Sequence, residues 1–143
     1  MRLFSRVLAC VLTLVPSVAL AQADDITEAG VSLELNAVQD VESGCRFTFV
    51  ANNNSGTSIE KAVFETVIFD TDGAVVRLSL FDFRALPERR PRVRQFDVPG
   101  MTCASIGQTL INGVNSCIVN GTENSVCSDG LQLNSRITIK LLG

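Results

Sequence analysis

The chain contains no histidine, no tryptophan and no tyrosine among its 143 residues. Without histidine it lacks the commonest general base, the Ser-His-Asp and Cys-His nucleophile arrangements, and the usual imidazole ligand of zinc and copper. Two carboxylate pairs remain for acid-base chemistry, Asp70 with Asp72 and Asp40 with Glu42, but both fall where turn or solvent-facing residues are expected. We therefore expect a protein that is not an enzyme, with no catalytic residues, no cofactor and no metal site.

Long apolar runs and helical periodicity are also missing. The apolar run near the N-terminus is shorter than the roughly 18 to 20 residues of a membrane-spanning helix, and no window of the remaining chain sustains the apolar period of a helix. No C-x-x-C pair occurs, although that spacing is typical of zinc sites. These absences favour a small β-rich domain.

The N-terminus has the composition of a cleavable Sec-type signal peptide. Its elements follow in order: Arg2 and Arg6, an apolar stretch from Val7 to Val15, Pro16 and Ser17, and the small-x-small pattern Ala21-Gln22-Ala23. Because cleavage is favoured after Ala23, we predict a removed segment at residues 1–23, an acidic lead-in at 24–30 and a single domain at 31–143. The mature protein is then periplasmic or secreted, with no membrane insertion.

The charge of the chain becomes more negative when the signal peptide leaves. The full chain has 12 basic and 15 acidic residues. Loss of Arg2 and Arg6 leaves 10 basic residues against the same 15 acidic ones, a net charge of −5. Nucleic-acid binders have the opposite balance, since their lysines and arginines neutralise phosphates. We expect no nucleic-acid partner.

Four cysteines remain in the mature chain, Cys45, Cys103, Cys117 and Cys127. An even number in an exported chain predicts two disulfides, which four cysteines can form in three ways. The spacing favours Cys117 with Cys127, closing a short loop that contains Asn120-Gly121, and Cys45 with Cys103 as the longer link. The other two pairings stay open.

Alternating apolar and polar residues predict short strands in the mature chain. The predicted strands lie at residues 31–42, 45–52, 59–69, 75–83 and 92–98, and apolar residues on both faces make 59–69 a central strand. Residues 84–91 are expected to form a loop because Pro87 and Pro91 cannot donate to a ladder. Seven of the eight phenylalanines lie in the mature chain, where they fill a core without needing buried polar partners.

The C-terminal part has clear turns and one clear strand. Residues 101–111 fit either a helical turn or an irregular edge strand, and Asn112-Gly113 and Asn120-Gly121 are typical tight-turn pairs. From Leu131 to Leu142 apolar and polar residues alternate, which predicts one long strand with one face packed inward. Together these patterns predict an all-β fold, an immunoglobulin-like antiparallel β-sandwich of about 7–8 strands with two disulfides.

The segment Asp70-Thr71-Asp72-Gly73 predicts a β-hairpin turn. Gly73 can take a positive φ, and the aspartates can accept hydrogen bonds from nearby backbone amides. The alternate carboxylates also suit the start of a calcium loop, but the later acidic ligand of such a loop is missing. We expect hairpin chemistry here.

Two stretches, Cys45–Val50 and Val67–Val76, with a polar Asn-rich turn between them, resemble exported bacterial immunoglobulin-like domains of the FxLYD type and their uncharacterised relatives. Those domains share a strand, an Asn-rich turn and a long strand that ends in an aromatic-Asp-x-x-Gly hairpin. Phe69 stands at the aromatic position, where that pattern often has tyrosine. The resemblance covers about residues 31–98 and implies a β-sandwich of the bacterial envelope, with no catalytic residues to carry over.

Five arginines within eleven residues depart from the acidic average, and we call this segment the arginine stretch: Arg84, Arg89, Arg90, Arg92 and Arg94. Guanidinium groups bind carboxylates and phosphates in bidentate geometry, so the stretch is a candidate site for an anion or an acidic partner. The alternative is a solvated loop and strand edge whose arginines pair with the domain's own carboxylates and discourage aggregation.

Three functions fit these features. The first is a non-enzymatic interaction module that binds another envelope protein through loops or edge strands. The second is a carrier of a small anionic ligand that uses the arginine stretch and a pocket between the sheets. The third is a structural subunit that assembles through the strand Leu131–Leu142 by strand addition. The oligomeric state is left open.

Overall fold

The computed structural model describes residues 28–143. The predicted signal peptide, residues 1–23, and the first part of the acidic lead-in lie outside the described residues. The described chain consists of β-strands with two short 3₁₀ turns, at Cys103–Ser105 and Ser125–Cys127. Its nine strands are β1 Val31–Val41, β2 Gly44–Asn53, β3 Ile59–Asp70, β4 Val75–Leu86, β5 Arg92–Pro99, β6 Ile106–Val119, β7 Thr122–Glu123, β8 Gln132–Ser135 and β9 Lys140–Leu142.

The strands form two sheets. Sheet A has the order β5-β2-β1-β8, and sheet B has the order β4-β3-β6-β7, with β9 also paired to β6. Residues from both sheets share one core, which confirms the predicted all-β sandwich. Most neighbouring strands are antiparallel. Two pairs, β1 with β8 and β6 with β9, are parallel. The prediction of a purely antiparallel sandwich is therefore wrong for these two pairs.

Inward-facing side chains of the two sheets meet in the core. The alternation predicted for the first two strands is confirmed, since Leu33, Leu35, Phe47 and Phe49 are fully buried. Phe49 contacts Phe83 of the other sheet edge to face, with ring centroids 5.4 Å apart, a geometry that aromatic pairs prefer. Because these side chains carry no polar atoms, they are buried without any need for hydrogen-bond partners.

The C-terminal segment is not the single long strand that its alternation predicts. It forms β8 in sheet A and β9 in sheet B, and residues 136–139 cross between the sheets. The alternation persists because Leu133, Ile139 and Leu141 all pack against the same core. The pattern therefore predicts burial correctly but strand continuity wrongly.

The two Asn-Gly pairs behave differently. Asn120 and Gly121 have positive φ angles of 49° and 73° and connect β6 to β7, as predicted for a tight hairpin turn. The turn predicted at Asn112-Gly113 is wrong, since β6 continues through it to Val119. The amide of Asn112 donates to the carboxylate of Glu65, and the pairing register of β3 and β6 shifts here, so a bulge accommodates the pair within the strand.

Both disulfides have the favoured pairing. Cys45 of β2 is bonded to Cys103 in the first 3₁₀ turn, and Cys117 of β6 is bonded to Cys127 in the second. Of the two alternatives for residues 101–111, the helical turn is correct for Cys103–Ser105, and β6 begins directly after it at Ile106. The bonds fix one turn against each sheet.

The hairpin between β3 and β4 forms as predicted. Asp70 Oδ1 accepts hydrogen bonds from the backbone amides of Asp72 at 3.0 Å and Ala74 at 2.9 Å. Gly73 has a φ of 86°, a conformation that glycine adopts without strain. These bonds give the aspartate a role in the turn.

Candidate interaction surface

The outer face of sheet A is polar and internally bonded, apart from the pair of Val50 and the exposed Val93. Arg46 of β2 and Asp97 of β5 form an ion pair, with Nε and Oδ1 2.7 Å apart. The hydrogen bond lowers the pKa of Asp97 and raises the pKa of Arg46. At the far edge of the sheet, Asn134 of β8 donates to Glu34 of β1 at 3.1 Å. Docking a partner here would desolvate groups that are already paired, so this face is poorly suited to protein binding.

The outer face of sheet B carries a continuous row of apolar side chains beside the polar pair of Glu65 and Asn112. The strand register places four apolar side chains in one row: Leu78 of β4, Val67 of β3, Leu110 of β6 and Leu142 of β9. Val67 is only 6% exposed, although it lies outside the core between the sheets, whereas Leu78 and Leu142 at the ends of the row are 61% and 39% exposed. Together with Leu80, the next outward residue of β4, the row forms what we call the apolar face.

Strand β4 carries most of the exposed apolar surface. It lies at the edge of sheet B, where β3 is the one strand of the described chain that pairs with it. Of the six large apolar side chains that are exposed in residues 28–143, four belong to it: Val75, Val76, Leu78 and Leu80. Contiguous exposed apolar residues on a soluble domain mark sites of protein interaction. The strongest candidate surface is therefore the face of sheet B next to this edge.

The edges of β4 and β5 lie side by side although they belong to different sheets. Phe81 of β4 and Phe96 of β5 stack with ring centroids 4.3 Å apart and 5° between the ring planes. Arg77 of β4 donates to the carbonyl oxygen of Pro99 at 3.0 Å. With Arg94, these residues form the β4–β5 seam, which joins the two sheets through side chains.

Arg94 closes the other end of the seam. Its Nε donates to the carbonyl of Phe83 at 2.6 Å, and its Nη2 donates to the carbonyl of Ala85 at 3.1 Å. Partial burial lowers the pKa of Arg94, and the positive charges of Arg84 and Arg92 lower it further. The guanidinium therefore lies in a locally positive environment that a bound anion would neutralise.

The loop predicted at residues 84–91 is shorter in the structure, whereas the strand predicted from Arg92 is present as β5. Strand β4 extends to Leu86, so Arg84 is a strand residue and the loop begins at Pro87. Arg84 has a φ of 59°, and its amide donates to Asp82 Oδ1 at a point where the ladder with β3 is irregular. A bulge accommodates the positive φ of Arg84, so β4 continues beyond this residue to Leu86.

The other four arginines are divided between the loop and β5. Arg89 and Arg90 lie in the loop, and Arg92 and Arg94 lie in β5. Arg89 is 3.5 Å from the carboxylate of Glu88, which is the one ion pair that the stretch forms within the described chain. Few arginines of the stretch therefore pair with the domain's own carboxylates, and within the described chain most of the stretch's positive charge has no ion-pair partner.

A groove of about 490 Å³ lies along the seam. It is lined by Leu80, Asp82 and Arg84 from β4 and by Val93, Arg94, Gln95 and Phe96 from β5. The groove combines apolar side chains with guanidinium groups. This chemistry suits an anion with an apolar body or an acidic segment of a protein.

A separate cavity of about 530 Å³ borders β6, β8 and β9. Apolar residues such as Ile111, Leu131 and Leu141 line it, and none of its described lining residues is an arginine. The strand order places β4 and β5 at the opposite edges of the sheets. The structure therefore does not bring together the two parts of the predicted carrier site, the arginine stretch and a pocket between the sheets.

Comparison of the chain with protein-family models, with curated proteins and with solved structures finds no match. The resemblance to FxLYD-type domains stays a prediction from the sequence. Among residues 28–143, no three histidine, cysteine, aspartate or glutamate side chains are grouped to hold a metal ion. The same part of the chain has no helix that is long and apolar enough to cross a membrane.

Proposed function

We propose that this chain is an exported, non-enzymatic interaction domain of the bacterial envelope, which binds another envelope protein through the apolar face of sheet B. The observation that carries the proposal is the contrast between the two outer faces. Sheet A presents paired polar groups such as Arg46 with Asp97, and sheet B presents the row that runs from Leu78 to Leu142. Both faces meet the same solvent in a free domain, so the apolar one is explained by burial against a partner.

Export is supported by two further features. The two disulfides are of a kind that persists in oxidising compartments. The N-terminal residues 1–23 have the order of charged, apolar and small residues typical of a signal peptide. We place the mature domain in the periplasm or outside the cell.

Capture of partners from the native envelope tests the proposal. Changing Leu110→Glu together with Leu142→Glu puts two charges into the apolar face, on strands that do not pair with β4. Thr48→Glu is the matched control, because Thr48 lies between two buried phenylalanines and so faces outward from sheet A. We expect the wild type and the control to capture one and the same envelope protein, and the double variant to lose it.

The melting temperature of each variant separates loss of binding from loss of folding. A folded double variant that still captures the same protein in wild-type amounts would show that the apolar face is not the binding surface. Loss of capture by Thr48→Glu alone would assign binding to sheet A and contradict the proposal as well.

A second candidate function is favoured by the uncompensated charge of the groove along the seam. Arg84 and Arg92 both lower the pKa of Arg94, so a small carboxylate or phosphate with an apolar body would relieve their repulsion. Native mass spectrometry of the protein purified from the envelope would then show an added mass, which Arg84→Gln removes and Arg136→Gln retains. A bare mass for the wild type would contradict the carrier function.

The third function, a structural subunit that assembles through residues 131–142, stays a prediction. In the structure, the two halves of this segment are already paired with β1 and β6 of the same chain. Removal of residues 131–143 would abolish polymers if the segment joins subunits. Polymers that persist after the removal would exclude this function.

A further inference from the structure

We propose that two copies of this chain pair through the free edges of β4, antiparallel about a two-fold axis at Leu78. This goes beyond the proposed partner binding, because it concerns the backbone edge of sheet B. The occupant of that edge is a second copy, because the unpaired backbone, the apolar side chains and the charges near Leu78 are all complementary to a second β4.

No described residue pairs with the outer backbone edge of β4 over Val75–Phe81, and we call this the free stretch. β4 pairs with β3 on one side only, and β5 meets it through side chains at the seam. Beyond this stretch, Arg94 occupies the carbonyl oxygens of Phe83 and Ala85. An edge strand presents unpaired backbone donors and acceptors to another chain. The residue at the midpoint of the free stretch is Leu78.

The free stretch lacks two of the features that protect native sheet edges, prolines and outward-facing charges, and its one ladder irregularity lies near its start, at Val76. It contains no proline, and its one charged residue, Arg77, is directed to the seam, where it donates to Pro99. Val76, Leu78 and Leu80 alternate along the outward face and are exposed. Apolar residues at alternate positions stabilise a sheet when they meet similar residues across the strands.

Charges of opposite sign lie at equal sequence distances from Leu78, the midpoint of the free stretch. Asp72 lies six residues before Leu78, and Arg84 lies six residues after it. Both are exposed, and neither forms an ion pair with any described residue. Antiparallel pairing about Leu78 brings Arg84 of each copy towards the turn that holds Asp72 of the other, and the apolar residues Val76 and Leu80 towards each other.

The order of these residues selects a second copy in the antiparallel direction. A strand that follows an acidic turn, is apolar over Val75–Phe81 and carries Arg84 near its end is complementary to itself only when the copies run in opposite directions. Asp82, the other charged residue near this end, lines the groove of the seam together with Arg94. A two-fold dimer uses one surface twice, so each favourable contact occurs twice. The result is sheet B continued across the axis, with the apolar faces of the two copies side by side.

Sedimentation velocity of the chain purified from the exported fraction tests the pairing. We expect a dimer for the wild type. Arg84→Glu and Asp72→Arg should each weaken dimerisation by roughly tenfold or more, because each change turns two attractive contacts into repulsive ones. An equimolar mixture of the two variants should restore the dimer. In the mixed dimer the introduced Glu at position 84 meets the introduced Arg at position 72, and the unchanged Asp72 of one copy meets the unchanged Arg84 of the other.

Arg136→Glu is the matched control, because Arg136 is exposed on the crossing between β8 and β9 and its change should leave the dimer intact. A monomeric wild type overturns the proposal, as does a mixture that stays monomeric. A dimer that both single variants retain also overturns it, because another surface is then responsible. The partner-binding variants at Leu110 and Leu142 leave β4 unchanged, so the two proposals fail separately.

Discussion

Phe81 of sheet B and Phe96 of sheet A lie parallel to one another, with ring centroids 4.3 Å apart and 5° between the ring planes. The stack holds β4 against β5 at a place where the two strands share no backbone ladder. Side chains therefore close this side of the sandwich, and the outer backbone edge of β4 stays unpaired over Val75–Phe81 within the described chain. The opposite side is closed by backbone pairing, because the C-terminal segment adds a parallel strand to each sheet.

The seam is expected to contribute strongly to folding stability. Phe81 is 3% exposed, so Phe81→Ala should lower the free energy of unfolding by about 3 to 5 kcal/mol through lost contacts and a cavity. The exposed Val93→Ala is the control and should change it by no more than about 0.5 kcal/mol. Urea unfolding of both variants measures the difference, and similar effects would mean that the stack is not a major contact.

Arg94 is expected to be irreplaceable by lysine, because only its planar fork reaches two carbonyl oxygens of β4 at once. Arg94→Lys should destabilise the fold by about 1 kcal/mol. Arg92→Lys provides the comparison, since the one side-chain hydrogen bond of Arg92 within residues 28–143 goes to the neighbouring Pro91 carbonyl. If thermal unfolding shows equal stability for the two variants, the seam does not depend on the guanidinium geometry.

The two disulfides are expected to differ in their contribution. Cys45–Cys103 spans 58 residues and Cys117–Cys127 spans 10. Loop-closure entropy alone predicts losses of about 4 kcal/mol and about 2.7 kcal/mol when each bond is removed. Paired serine substitutions, measured by denaturant unfolding, give both values. A larger loss from the shorter loop would indicate that local packing outweighs chain entropy.

Glu123 should make stability depend on pH in the acid range. Its pKa is held below the ordinary 4.5 because its carboxylate accepts bonds from the backbone amide of Cys117 and the hydroxyl of Ser116. A depressed carboxyl pKa adds stability above its unfolded value, and this is lost as the pH falls through the folded value. Glu123→Gln should therefore melt below the wild type at pH 7, and the gap should narrow under acid conditions. A gap that widens in acid would contradict this role.

Much of the fold follows from local alternation. Residues such as Phe47 and Phe49 are buried as predicted, because a strand with one apolar face can be placed in a sandwich in only one orientation. The crossing at residues 136–139 could not be predicted in this way, since both sheets bury the same face of the segment. The strand course through Asn112-Gly113 depends on a tertiary bond to Glu65, which lies in a distant part of the sequence.

The candidate surface was only partly visible in the sequence. The arginine stretch was recognisable from its composition, but its division between β4, the loop and β5 depends on a bulge at Arg84. The apolar face was missed. Apolar residues on both faces of β3 gave one sign of it, yet the row from Leu78 to Leu142 exists only through the registers of three strand pairs.

Site-specific photo-crosslinking in the native cell tests the binding surface most directly. Leu110 and Thr48 are matched positions, since both are half-buried on the outer faces of opposite sheets. We predict that a photoreactive side chain at position 110 forms a covalent adduct with one envelope protein, and that the same group at position 48 forms none. Adducts of equal yield at both positions, or adducts only at position 48, would contradict the assignment of binding to the apolar face.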